Sequence, residues 1–100
     1  MSQSKVLSET LFQRRPSVLF RAFDGFVLLA IPGEEDFKEL SGAGSVIWAL
    51  LGTPRSIAEI ARTLANQYAT PVREITLQVE ALVTELVRLG SVGEVAGRGE

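Results

Sequence analysis

The spacing of apolar positions along this chain changes character near its middle. Before residue 41 it follows a period of two. Val18, Phe20 and Ala22 alternate with Leu19, Arg21 and Phe23, and an unbroken apolar run follows over residues 26–31. Successive strand side chains point to opposite faces, so these stretches predict two strands, the first with one buried face and one partly wet face. Asp24 and Gly25 between them predict a two-residue hairpin of type I′, which requires positive φ at both central positions. Pro32 and Gly33 end the second strand, because proline donates nothing to a ladder. Glu34, Glu35 and Asp36 form an acidic stretch that reads as a solvated loop rather than a metal site. Phe37, Lys38, Glu39 and Leu40 predict a short, charged third strand at the sheet edge. Alternation puts Phe37 and Glu39 on one face and Lys38 and Leu40 on the other.

From residue 41 the period lengthens to that of a helix. Ser41 is the expected N-cap of a first helix carrying Val46, Ile47, Leu50 and Leu51, weakened at its start by Gly42 and Gly44. Trp48 lies among these apolar residues and reads as a core side chain rather than a ligand-stacking ring. Gly52, Thr53 and Pro54 terminate the helix. Ser56, with Glu59 three residues on, predicts a capping box for a second helix whose apolar face holds Ile57, Ile60, Ala61, Leu64 and Tyr68. Thr70 as N-cap and Pro71 at the first helical position open a third helix of about 19 residues, roughly 28 Å long. Ile75, Val79, Leu82, Val83, Leu86 and Leu89 form its stripe, and Gly90 ends it. The expected architecture is therefore α+β and winged-helix-like: three N-terminal antiparallel strands, then a three-helix bundle, over residues 17–92. A loose arm over 1–16 and a frayed tail over 93–100 flank it.

Composition narrows the chemistry. With neither cysteine nor histidine, the chain lacks a thiolate nucleophile and the commonest acid/base group and metal ligand. Its carboxylates are scattered over loops and wet helix faces, with no phosphate-cradling loop, so we expect no catalysis, cofactor or metal. Helix-turn-helix spacing raises the possibility of a DNA-binding regulator. Against it, the outer face of the third helix carries Arg73 and Arg88 but also Glu74, Glu80 and Glu85, and the formal net charge is −2. Arg14 and Arg15 are too few for a basic tract and read as a solvated pair. No apolar run approaches the roughly 20 residues of a membrane span, and no signal-peptide core precedes the first charges. The expected location is cytoplasmic, with no membrane or nucleic-acid partner.

One series of residues carries a resemblance. Leu40 and Ser41, Gly44, Ile47 and Trp48, Leu50 to Gly52, Arg55 to Ile57, Glu59 and Ile60, Leu64 and Tyr68 resemble the PqqD family pattern. Val79, Leu82, Leu86 and Gly90 continue it, so the likeness spans nearly all of 17–92. Ser41 stands where the family usually has Asn, Thr53 and Pro54 interrupt its Gly-Arg step, and Gln78 occupies a position often acidic there. The resemblance implies a standalone recognition element for ribosomally synthesised, post-translationally modified peptides (RiPPs), as in lasso-peptide or PQQ-type clusters. It would bind the leader segment of a precursor peptide and present it to a leader peptidase, cyclase or radical enzyme. By resemblance the leader adds as a strand beside Phe37, Lys38, Glu39 and Leu40 and lies against the third helix. Helical spacing gives that helix two candidate flanks. One holds Glu74, Gln78, Ala81 and Glu85, where Ala81 leaves room for a bulky side chain and the two glutamates attract a basic one. The other holds Arg73, Thr76, Glu80, Val83 and Val87. The first is preferred because the family's acidic position aligns with Gln78. Strand addition also implies that Leu40→Pro, which deletes a backbone donor, weakens binding more than Lys38→Ala. The same open edge could pair two copies, so the expected state is a monomer or weak dimer, with a self-associating scaffold as the alternative.

Overall fold

A computed structural model describes residues 10–95. The α+β class holds, but the strands-first order does not. Among the described residues, six strands and three helices follow one another as β1 (Leu11–Arg14), β2 (Leu19–Phe23), β3 (Phe26–Ala30), β4 (Lys38–Ser41), α1 (Ala43–Leu50), β5 (Arg55–Ser56), α2 (Ile57–Tyr68), α3 (Val72–Arg88) and β6 (Val92–Val95). They build two antiparallel sheets, ordered β5-β1-β6 and β2-β3-β4.

The first sheet corrects the reading of both ends of the chain. Leu11–Arg14, expected in a loose arm, is the central strand of that sheet. Val92–Val95, mostly placed in a frayed tail, pairs with it from Leu11↔Val95 to Arg14↔Val92. The rest of the expected arm and tail, residues 1–9 and 96–100, lies outside the described residues. Four-residue segments carry too little periodicity to announce themselves, and this pairing joins residues some eighty positions apart.

The core lies between the second sheet and the helices. Val27, Leu29 and Leu40 face Ile47, Trp48 and Leu51 of the α1 region, Ile60, Ala61 and Leu64 of α2, and Ile75, Val79, Val83 and Leu86 of α3. Trp48 is buried, as its apolar neighbours predict. Tyr68, expected on the buried face of α2, is instead exposed at its C-terminal end. In the second sheet, β2 is exposed throughout, and only Val18 just ahead of it enters the core. Phe20 approaches the core only by meeting Trp48 edge to face, with ring centroids 5.5 Å apart. The hairpin at Asp24 and Gly25 forms with only Gly25 at positive φ (89°), the φ pattern of a type II turn rather than type I′.

Helix ends follow local chemistry, with two exceptions. The capping box on α2 forms as expected: Ser56 Oγ accepts from Glu59 N (3.1 Å), and Glu59 Oε1 accepts from Ser56 N (3.0 Å). Ser56→Ala should therefore cost about 1 kcal/mol, read as a lower urea midpoint at unchanged slope. Gly90, at φ 82°, follows α3 in a Schellman arrangement, with Ser91 N donating to Leu86 O and Gly90 N to Val87 O, both at 3.0 Å. That turn aims the chain into β6. The exceptions are Ser41 and Thr70. Ser41 closes β4 while Gly42 takes the N-cap of α1. Thr70 Oγ1 donates to Tyr68 O, leaving Pro71 as the N-cap of α3 rather than its first residue.

Candidate peptide-binding edge and cleft

The hydrogen-bond phase of the second sheet decides what β4 offers to a partner. In an antiparallel pair, opposed residues alternate between bonded and non-bonded positions. Gly42 N donates to Gly25 O (3.2 Å), and the register continues as Val27↔Leu40 and Leu29↔Lys38 at bonded positions. The hairpin agrees independently. Its two-residue turn closes on Phe23↔Phe26, so Phe26, Leu28 and Ala30 bond β2 and leave Val27 and Leu29 for β4. The backbone N–H and C=O of Glu39 and Ser41 therefore face outward on an edge that carries no strand among the described residues.

Beside this edge runs α3. Leu40 is buried next to Gly44 and Leu82: a Cβ on Gly44 would lie 3.5 Å from the Leu40 Cβ and 3.7 Å from a Leu82 methyl. Strand, helix start and α3 thus meet in ordinary van der Waals packing at Gly44. Towards the C-terminal end of α3 they part into an open cleft of about 470 Å³, lined by Ile31, Glu34, Asp36, Phe37, Lys38, Glu39, Glu85, Arg88 and Leu89. Four carboxylates against two cations make it acidic. Phe37, 70% exposed, stands at its mouth.

Of the residues singled out from the sequence, Phe37, Lys38, Glu39 and Glu85 line this cleft together. Leu40 lies under it as core. Glu74, Gln78 and Ala81 are exposed nearer the N-terminal end of the same helix and do not line it. Of the other flank, Val83 is buried and Thr76 half-buried, while Arg73, Glu80 and Val87 are exposed. Sequence reasoning missed Glu34, Asp36 and Arg88 as cleft residues. Arg88 had a signal, its spacing of three from Glu85 on one helix. The acidic loop had none, because only the chain path brings it to α3.

Glu85 is not a free charge. Arg88 donates to it through Nε (3.2 Å) and Nη2 (2.6 Å), a two-pronged pair on the helix surface. The hydrogen bond from Arg88 holds the Glu85 carboxyl below its ordinary pKa, opposed by slight desolvation and aided by the charges of Arg88 and Lys38. The same pair raises Arg88. Because the folded value of Glu85 is depressed, its small stabilisation is present above the ordinary glutamate pKa and lost as pH falls through the folded one. In a carboxyl-detected NMR titration, Arg88→Ala should move the Glu85 midpoint upward.

Fold and edge together define a small α+β domain whose open strand borders a helix-walled cleft. The family model for PqqD, coenzyme PQQ synthesis protein D, matches residues 25–92, and the chain belongs to that family. Its fold is similar to a solution NMR structure from Methylobacterium extorquens, the PqqD truncation of PqqCD, described as a functional, stand-alone RiPP recognition element. The TM-score is 0.68 at 15% identity, covering 83% of this chain and 88% of that one. A comparison with curated proteins finds no match. Among the described residues, no helix is long and apolar enough to cross a membrane.

Proposed function

We propose that this protein is a non-catalytic RiPP recognition element that binds a leader segment as an added strand on β4, beside α3, and presents the precursor to a modifying enzyme. The enzyme would be a leader peptidase, cyclase or radical enzyme, as in lasso-peptide or PQQ-type clusters. Family membership supports the recognition role. The observation that carries the binding mode is the outward-facing backbone of Glu39 and Ser41 at the rim of a cleft. Strand addition draws affinity from such groups and selectivity from neighbouring side chains. We keep Phe37, Lys38, Glu39, Leu40, Glu74, Gln78, Ala81 and Glu85 as the peptide-binding set. Glu34, Asp36 and Glu39 favour a leader with a basic side chain near the C-terminal end of α3. A cytoplasmic monomer, with dimerisation through β4 competing with the leader, completes the reading.

The test is a titration of the protein with leader peptides from precursors encoded beside it, followed by backbone amide shifts. Shifts concentrated on residues 37–41 and on α3 are expected. Shifts spread elsewhere would reject the groove. Duplex DNA that binds at physiological ionic strength and is released by salt would favour the regulator reading instead.

A further inference from the structure

A second cavity, of about 350 Å³, lies where β1 meets the start of β2 and the end of α1. It is lined by Gln13, Arg14, Arg15, Pro16, Val18, Phe20, Trp48 and Gly52, and shares no residue with the cleft beside β4. The two arginines were expected to be a solvated pair, and Arg14 is not. Its guanidinium carbon lies 4.6 Å from the centre of the Phe20 ring and 5.4 Å from that of Trp48. Burial lowers its pKa from the ordinary arginine value. A guanidinium stays charged in proteins, and a partly desolvated one ordinarily has a carboxylate beside it. Here neither Arg14 nor Arg15 has an ion pair or a side-chain hydrogen bond among the described residues. Among the described residues, no acid lines the cavity. The Gln13 amide is spent on Gly52 O at 3.2 Å. The indole N–H of Trp48, wholly buried, also lacks an acceptor.

The shape of the place is as informative as its charge. Gly52 leaves room for the guanidinium, since a Cβ there would stand 2.6 Å from Arg14 Nη2. Pro16, Val18, Phe20 and Trp48 supply apolar walls. Arg14 presents its fork among these walls, whereas the Arg15 guanidinium lies over Gly93 of β6 and lends charge from the rim. A planar fork among apolar walls suits a carboxylate on an aliphatic stem better than a compact, heavily hydrated phosphate.

We propose that this cavity is a second recognition site, in which the Arg14 guanidinium takes the carboxylate of an acidic side chain from a bound polypeptide. It does not depend on the leader-binding reading of β4. An acidic residue docked here would tie a partner to the side of the domain that carries β1, leaving the β4 edge free.

The probes are glutarate and two blocked peptides, acetyl-Gly-Glu-Gly-amide and its Gln counterpart, at constant ionic strength and pH 7. The readout is the Trp48 indole N–H resonance. The expected result is a saturable shift with the Glu peptide and none with the Gln peptide. Arg14→Lys, which keeps the charge but loses the fork, should weaken binding about tenfold. Gly52→Ala, which pushes the guanidinium aside, should weaken it similarly, whereas Glu39→Pro should leave it unchanged. A shift with glutarate as well would mean that the site also takes the free dicarboxylate. Equal shifts with the Glu and Gln peptides, equal affinity for inorganic phosphate, or no shift with any probe would overturn the proposal. Dispersed amide spectra of each variant separate lost binding from lost fold.

Discussion

Glu39→Pro should weaken leader binding at least about tenfold while leaving the melting temperature within a few degrees of the parent. Both halves follow from the phase of β4. The Glu39 N–H points to the open edge, so proline deletes a donor the added strand needs and puts its ring where that strand would lie. One backbone bond is worth about 1 kcal/mol net, and the steric block adds to it. No bond to β3 is lost, because Leu40 and Lys38 hold that ladder. Glu39→Ala serves as the control, since it removes the charge and keeps the donor. Calorimetric titration with a leader peptide, paired with thermal melts, checks both. Wild-type affinity in the proline variant would eliminate strand addition at β4. Leu40→Pro, the choice the sequence suggests, cannot make this test. The Leu40 backbone belongs to the β3 ladder and its side chain to the core, so that variant should lose about 3 kcal/mol of stability or more and report unfolding instead.

Trp48→Ala carries the largest expected effect on stability. The side chain is only 1% exposed and packs where α1, β2 and the guanidinium of Arg14 converge. Truncation of a buried tryptophan costs about 3–5 kcal/mol, a large share of the roughly 5–15 kcal/mol of a whole domain. Trp48→Phe should cost less than half as much. It retains an aromatic face for Arg14 and Phe20, and it removes an indole N–H that is buried without an acceptor. Urea unfolding followed by far-UV circular dichroism distinguishes the two, because fluorescence is lost with the tryptophan. Equal losses would mean that the aromatic contacts contribute little and that volume alone sets the cost.

The features that sequence determined by itself are those set within a few residues. The hairpin at Gly25, the Ser56 and Glu59 capping box, the apolar stripe of α3 and its stop at Gly90 all depend on neighbours along one element, where period and cap chemistry are visible. The burial of Trp48 was legible for the same reason. Family membership was legible too, because the spaced series from Leu40 to Gly90 runs through those local elements. Apart from the caps at Ser41 and Thr70 and the type of the Gly25 turn, the misread features are non-local. Leu11–Arg14 and Val92–Val95 become strands only by meeting each other. Arg14 is drawn partly out of solvent because that strand sets it against Phe20 and Trp48. The outward turn of the Glu39 backbone depends on a bond phase set across the sheet, at Gly25 and Gly42. Local chemistry wrote the elements of this protein. Tertiary packing alone decided which backbone groups of the edge were left unpaired beside α3, because hydrogen-bond phase and charge pairing exist only between elements.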